Sequence, residues 1–342
     1  MPQWPDIQKW EHHETAENRI QARSLSNEYK ISSILARLLI ARNLTSKQLI
    51  WNFLEPHFKH CHDPFMMRDM DHAVQRLITA LRLGEKVVIY GDYDVDGTVG
   101  TVLLYRFLQR LGVRVSYFIP KRLKDGYGLT EQTLMELKTR QARLIITVDN
   151  GARAVEEAAF LKRMGIDLLI TDHHPPGEQM PEAFAMVNPM RPDCPYPFKG
   201  LSGAGVAFKL LEALDHQLSV DGFWERTEKV RADLQLELDL VAFATISDSM
   251  PMTDENRYFI QKGLELMNPC RRPGFQALLR VCGVRGRVTS TEISFKLAPK
   301  INAAGRVDDP NLAVRLLLSQ SLAEARPIAD KMFALNQQRQ KI

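Results

Sequence analysis

The spacing of apolar residues along the chain changes near residue 87. Before it, Ile34, Leu35, Leu38 and Leu39 recur at helical spacing within 32–40, and Ala73, Val74, Leu77, Ile78 and Leu81 do so within 71–83. After it, short, largely apolar runs at 87–90, 113–119, 144–148, 168–171, 185–187 and 240–246 read as strands. Between the early runs, 98–111, 130–140 and 154–164 carry helical periodicity. Strands that are apolar throughout and separated by helices predict a parallel sheet buried on both faces. The fold class expected is therefore α/β, a parallel β-sheet flanked by helices, with N-terminal and C-terminal helical extensions. The expected parts are 1–70 as a helical and loop extension, 71–255 as the sheet domain, and 256–342 as a helical C-terminal part.

Composition narrows the class. With 45% hydrophobic and 25% charged residues, the chain is neither disordered nor collagen-like. It has no apolar run near the ~20 residues of a membrane span, and its opening, MPQWPDIQKW, lacks a signal-peptide pattern. The cysteines Cys61, Cys194, Cys270 and Cys282 are scattered without CxxC spacing, which disfavours a zinc ribbon or a disulfide framework. A cytoplasmic protein is expected. His57, His60, Cys61 and His62 lie close together but lack the paired spacing of a zinc site, and read as a surface loop. The net charge of +4 neither demands nor excludes nucleic acid.

The informative feature is what each apolar run leads into. The first ends in Gly91-Asp92-Tyr93-Asp94-Val95-Asp96-Gly97, the third in Asp149-Asn150-Gly151, and the fourth in Asp172-His173-His174. The run at 240–246 ends, after Ser247, in Asp248. The carboxyl edge of an open parallel sheet is where ligands bind. So many acids in one cleft need cations to neutralise them. On an extended segment Asp92, Asp94 and Asp96 point the same way and converge, Asp94 and Asp96 being the expected pair. Carboxylates with an imidazole suit Mn²⁺ and admit Mg²⁺. Two such ions about 4 Å apart are a device for phosphoester hydrolysis. Any single strand-end aspartate is also a natural helix cap. An EF-hand is excluded, because the position that needs Glu is Leu103 and a strand precedes the loop.

The segments GDYDVDG, VDNG and TDHHPPGE, followed by NP, PYPFKGLSGAGVAFKLL, ISDSMPMTDENR and INAAGR, resemble the DHH phosphoesterases. The DHH motif alone indicates a superfamily that also holds pyrophosphatases and nano-RNA or cyclic-dinucleotide phosphodiesterases. The long GLSGAGVAFKLL and INAAGR segments resemble its RecJ-like branch, the single-strand-specific 5′→3′ DNA exonucleases. The resemblance runs from about Trp51 to the last residue.

The resemblance implies hydrolysis of single-stranded DNA from its 5′ end, in repair and recombination, with two Mn²⁺ or Mg²⁺ ions. It makes 71–255 the catalytic domain and Asp94, Asp96, Asp149, His173 and Asp248 the metal ligands, with Asp149 bridging. Asp92 and Asp172 would orient neighbouring groups, and His174 would face the scissile phosphate. Arg122 and Tyr127, in the segment 121–128, and Asn302 and Arg306, in INAAGR, would contact nucleic acid. Backbone amides of GLSGAG would lie near phosphate, and the basic residues Arg271, Arg272, Arg280, Arg285 and Arg287 would extend the track. The expected partners are single-stranded DNA, a single-strand-binding protein and a helicase; a monomer without a membrane attachment is expected.

Two departures from the family pattern bear on function. RecJ-like proteins continue into a glycine-rich second domain and an OB-fold. This sequence has neither and is expected to be a truncated catalytic half with weakened strand binding. Val99 stands where a small or hydroxylated residue is expected. The competing readings are a phosphodiesterase acting on short oligonucleotides or cyclic dinucleotides, and a non-catalytic DNA-bound scaffold, which would have lost its ligands.

Overall fold

A computed structural model of the chain describes residues 15–121, 128–307 and 309–340. Two compact units are separated between His57 and Phe58. The first contains helices α1 (Ala16–Tyr29), α2 (Ser33–Ala41) and α3 (Lys47–Leu54). Each starts on a hydroxyl cap, from Thr15, Ser32 and Ser46, that accepts a first-turn N–H. Ala22, Leu25, Ala36, Leu39 and Ile50 form their shared core.

The second unit holds the sheet. Its strands are β1 (Lys86–Gly91), β2 (Arg114–Phe118), β3 (Leu144–Val148), β4 (Asp167–Thr171) and β5 (Ala185–Val187). They pair in the order β2-β1-β3-β4-β5, all parallel. Around them lie α4 (Met70–Leu83), α5 (Val95–Leu111), α6 (Glu131–Thr139), α7 (Val155–Arg163) and α8 (Gly203–Val220). The chain continues through α9 (Phe223–Thr227), α10 (Leu238–Ser247), α11 (Asp254–Met267) and α12 (Pro273–Val281). A π-turn, Ile293–Leu297, leads into α13 (Ala298–Val307), followed by α14 (Asn311–Leu318) and α15 (Leu322–Arg339).

Alternation along the strands explains their unbroken apolar character. Val87 and Ile89 face one side, in a core shared with α4, α5 and α8; Val88 and Tyr90 face the other, against α6 and α7. With both faces covered, the inner strands past their first residues are apolar but for Thr147 and Thr171, both buried; the edge strand β2 keeps the polar Arg114 and Ser116. The helices after residue 256 contribute Phe275, Leu278, Ile301, Leu316 and Met332 to the first of these cores. No helix among the described residues is long and apolar enough to cross a membrane.

The strand order places its switch point between β1 and β3, where crossovers leave in opposite directions and open a crevice. Gly91, Val148, Thr171 and Val187 form one row across four strands. The ladder runs one step further: the N–H groups of Asp92, Asp149 and Asp172 donate to Val148, Thr171 and Val187 carbonyls at 3.2, 3.0 and 3.2 Å. Four strands therefore end level, each handing on to a polar residue: Asp92, Asp149, Asp172 and Asn188.

One expected strand is a helix. Residues 240–246 belong to α10, where every side chain from Leu238 to Ile246 is buried, packed among α5, α8 and α11. A helix buried on all sides has no polar stripe, so its apolar run mimics a central strand; Ala242 and Ala244 favour the helix. Asp248 thus arrives from the C-terminal end of a helix.

Candidate metal centre

The loop after β1 turns into α5 at once. Asp94 is the helix cap, its carboxylate accepting the Gly97 N–H at 3.0 Å. Because the helix starts at Val95, the aspartates do not alternate along an extended segment as expected, and Asp94 and Asp96 fall into different clusters. Asp92, Asp94 and Asp149 form one, Asp96, His173 and Asp248 a second, and Asp149, His173 and His174 a third that joins them. Within each cluster the ligand atoms lie within 4.8 Å of one another. His173 Nε2 is 3.0 Å from Asp149 Oδ1 and 3.7 Å from both Asp96 Oδ2 and Asp248 Oδ2.

Several local devices hold these groups. Asp149 adopts a left-handed backbone, φ 62°, which a short polar side chain tolerates better than most. Asn150 ties the switch point together, its Nδ2 donating to the carbonyls of Val148 at 2.8 Å and Tyr90 at 3.3 Å. Asp96 accepts the N–H groups of Gly203 and Ala204, at 2.6 and 2.9 Å, from the first turn of α8. The helix dipole favours a carboxylate there. Gly203 has no substitute, since a Cβ would come within 2.7 Å of Asp149 Cβ.

Asp172 is the hub beneath the histidines. Its Oδ2 accepts the Ala152 N–H at 2.8 Å. Its Oδ1 accepts the main-chain N–H groups of His173 and His174 at 2.8 and 3.2 Å and meets His174 Nδ1 at 2.8 Å. Asn188 holds the same histidine from β5, donating to the His174 carbonyl at 2.9 Å.

The electrostatics follow from burial. Burial first, then the Asp94 charge, pushes Asp92 up to about 7 and Asp248 up to about 6. Burial, then Asp248 and Asp94, pushes Asp96 up to about 8. Asp149 rises well above the carboxylate range through burial and then Asp96. More acid is gathered here than can ionise without a counter-charge. Two buried oxygens, Asp92 Oδ1 and Asp149 Oδ1, accept no hydrogen bond among the described residues. Hard oxygen donors with one imidazole, carrying unmet negative charge and orphaned lone pairs, fit divalent cations such as Mn²⁺ or Mg²⁺.

The expected nucleic-acid contacts fare differently. Asn302 reaches the metal loop instead, its Oδ1 accepting the Val95 N–H at 3.0 Å. Arg122, Tyr127 and the side chain of Arg306 lie outside the described residues. The GLSGAG amides of Gly203 and Ala204 are taken by Asp96. Arg272 leaves the basic track: it is buried between Glu237 and Asp239, at 2.6 Å from each. Arg280 pairs with Asp330 at 2.9 Å, whereas Arg285 and Arg287 are exposed. His62, from the His/Cys loop, pairs with Asp254 at 2.8 Å, and no metal-holding group among the described residues includes it. Sequence assigns no role to Asn150 or Asn188, which occur only within the VDNG and NP segments of the resemblance, and it points the α8 amides at phosphate, whereas those of Gly203 and Ala204 hold Asp96.

Known proteins match this arrangement. The model of the DHH family, N-terminal domain, matches residues 86–245. The chain is 38% identical over 335 residues to the single-stranded-DNA-specific exonuclease RecJ of Bacillus subtilis, covering 98% of this chain and 40% of that protein. Among solved structures, exonuclease RecJ bound to manganese is 35% identical with a TM-score of 0.69, covering 80% of this chain and 67% of that one. RecJ from Thermus thermophilus in complex with Mn²⁺ is 31% identical with a TM-score of 0.76, covering 94% of this chain and 44% of that one. The chain thus spans less than half of the Bacillus subtilis relative. A family model matched over the sheet, together with 35% identity to a manganese-bound RecJ of which the chain covers two thirds, means that the chain belongs to the DHH family.

Proposed function

We propose that this chain is the metal-binding catalytic part of a nuclease that hydrolyses phosphodiester bonds in single-stranded DNA, working inward from the 5′ end. The observation that carries the reading is the convergence of Asp94, Asp96, Asp149, His173 and Asp248 on one point of the sheet edge. Asp94 and Asp149 would hold one cation, and Asp96, His173 and Asp248 the other, with Asp149 between them. When bound, the ions supply positive charge for the phosphoryl oxygens and a water acidic enough to attack phosphorus near neutral pH.

The protein groups divide the remaining work. His173, held at a pKa of about 4 by burial and then by its neighbour, is neutral and offers a lone pair. His174, raised by its hydrogen bond to Asp172, is biased toward imidazolium. With Nδ1 engaged, its Nε2 is the atom available to donate to a phosphate oxygen. Asp172 and Asn188 fix that ring; Asn302 fixes the turn that presents Asp94 and Asp96. The intact ligand set disfavours a scaffold without turnover. The four cysteines are free, which fits a cytoplasmic setting, and single-strand-binding proteins and helicases are the natural suppliers of such a substrate.

Incubation with end-labelled single strands and Mn²⁺ tests the reading, with 5′ and 3′ labels, duplex and dinucleotide compared. Early loss of the 5′ label from single strands is expected. Degradation confined to dinucleotides, or none at all, overturns it.

A further inference from the structure

A cavity of about 800 Å³ opens against the flank of α8, away from the sheet edge. Gly203 and Ala204, at the start of that helix, hold Asp96. Glu212, which lines the cavity, comes nine residues after Gly203, about 14 Å along the axis at roughly 1.5 Å per residue. No residue of the three acid clusters lines it, and all its lining residues lie in the second unit. Its size is that of a site for a small molecule.

Phe58, Pro64, Phe65 and Phe208 give the cavity an apolar, aromatic lining. Its polar part centres on Lys209 and Glu212, both on α8. Lys209 is buried, and its Nζ donates to the His62 carbonyl at 2.7 Å. The same nitrogen lies 2.7 Å from Glu212 Oε2 and 3.4 Å from Glu255 Oε2. One cation is thus shared between two carboxylates. Apart from Lys209, neither of those buried oxygens has a hydrogen-bond donor among the described residues. Arg231 does not redress the balance, because three contacts of 2.5–3.1 Å commit it to Asp215. Four carboxylates line the cavity, from Asp63, Glu212, Asp215 and Asp233, against the three cations Lys59, Lys209 and Arg231. Glu255 stands behind Lys209 as a fifth acid.

We infer that this cavity binds a small organic cation, an ammonium carried on an aromatic or aliphatic body, with Glu212 pairing with the ammonium and the phenylalanines packing against the body. An anion would meet the excess of acid, and a neutral ligand would leave Glu212 and Glu255 sharing one lysine. An ammonium supplies the missing donor and the missing charge together, and hydrogen bonds to an ionised carboxylate are among the strong ones. Aromatic faces attract a cation as well as an apolar body. A bare metal ion does not suit the site, for no metal-holding group among the described residues includes Glu212. The site is separate from the metal centre and stands without the nuclease reading.

Calorimetry with 4-phenylbutylamine, 4-phenylbutanol and 4-phenylbutyrate tests the assignment on the wild type, Glu212→Gln and Ala232→Trp. The three probes share one apolar body and differ in charge. The wild type is expected to bind the amine, the alcohol about tenfold more weakly, and the carboxylate not at all. Glu212→Gln leaves Lys209 its contact with Glu255 and so keeps the fold. It should weaken the amine about tenfold and leave the alcohol as it was. Ala232 is half-buried on the lining, and Ala232→Trp, which fills the cavity, should abolish binding of all three. Equal affinity for amine and alcohol, or an unchanged amine affinity in Glu212→Gln, overturns the cation assignment. Failure of the wild type to bind any probe overturns the site itself. Single-strand hydrolysis should be the same in Glu212→Gln as in the wild type, and its loss would make the cavity part of the nuclease site and overturn its separate assignment.

Discussion

His173 and His174 sit with ring centroids 4.4 Å apart, and their surroundings drive them toward opposite charge states. Burial strips His173 of its proton, and the neighbouring imidazole adds to that effect. The Asp172 carboxylate, 2.8 Å from Nδ1, outweighs burial at His174 and favours its charged form. Adjacent identical side chains thus differ in charge, one held neutral and one biased toward imidazolium, which suits them to the separate roles proposed for them.

Asp172→Asn tests that division. The amide can still accept from the main chain but no longer stabilises the imidazolium. Catalysis is expected to fall roughly 10–100-fold, as for other groups that orient a metal site. Because the charged form of His174 is the one needed, losing the partner lowers its pKa and moves the alkaline limb of kcat/KM to lower pH. The pH–rate profile checks this; an alkaline limb in its original place refutes the assigned role of Asp172.

Asp149→Asn separates charge from shape. Asn tolerates the left-handed backbone that Asp149 adopts, whereas Ala would add about 1–2 kcal/mol of strain. Hydrolysis is expected to drop by three or more powers of ten, about 4 kcal/mol in the barrier. The metal-free protein should become more stable near neutral pH, since a buried acid that folding forces to take up a proton is replaced by a neutral amide. Turnover near wild type in Asp149→Asn is incompatible with a shared ligand at this position.

The raised carboxyls make a pH prediction for the metal-free protein. Asp248, Asp92 and Asp96 bind protons in the folded state up to about 6, 7 and 8, respectively. In the unfolded chain they release them near pH 4. Over that window the folded state holds more protons, so stability falls as pH rises from about 4 to 8. Cation binding requires the ionised ligands and should strengthen along the same interval. Thermal unfolding with chelator should therefore show a falling melting temperature across the window, and Mn²⁺ should restore most at the alkaline end. A chelated protein that gains stability with rising pH contradicts the assigned environment.

Much of the fold was legible because both faces of the sheet are covered. Val87, Val88, Ile89 and Tyr90 are all buried, so the strand announces itself as an unbroken apolar run. The same logic misread residues 240–246, for a helix enclosed by α5, α8 and α11 leaves no periodic polar stripe. At the site, the aspartates and histidines were visible as abrupt polarity after apolar runs. The role of Asn188 was not, and the GLSGAG amides were visible but assigned to phosphate instead of Asp96, because both roles come from register and helix placement rather than residue type. Arg272 looked like a nucleic-acid contact for the matching reason: its partners Glu237 and Asp239 lie more than thirty positions earlier in the chain.

Arg272→Ala follows from that pairing. Removing the cation leaves the buried Asp239 without it, while Glu237 keeps Arg106 at 3.3 Å; an uncompensated buried charge of this kind typically costs about 3–5 kcal/mol. Denaturant unfolding should register the loss, whereas affinity for single-stranded DNA in the folded protein should hold. A variant of wild-type stability with weakened strand binding would return Arg272 to the nucleic-acid track.

Gly305 lies within α13, one turn beyond Asn302, where the helix backs onto the metal loop. A methyl group there would run into the Tyr93 carbonyl and reach 3.0 Å from Tyr93 Cβ, and backbone cannot yield as a flexible side chain can. Gly305→Ala therefore displaces the turn between Asp92 and Asp94, whereas Asn302→Ala only releases its tether at Val95. Misplacing reacting groups by about 1 Å costs on the order of a hundredfold in rate. Gly305→Ala is expected to lose at least that, with weaker Mn²⁺ binding, and Asn302→Ala to lose less. Metal titration followed by single-turnover hydrolysis checks the order. If Gly305→Ala binds Mn²⁺ and turns over like the wild type, the contact between α13 and the metal loop is not what positions the aspartates.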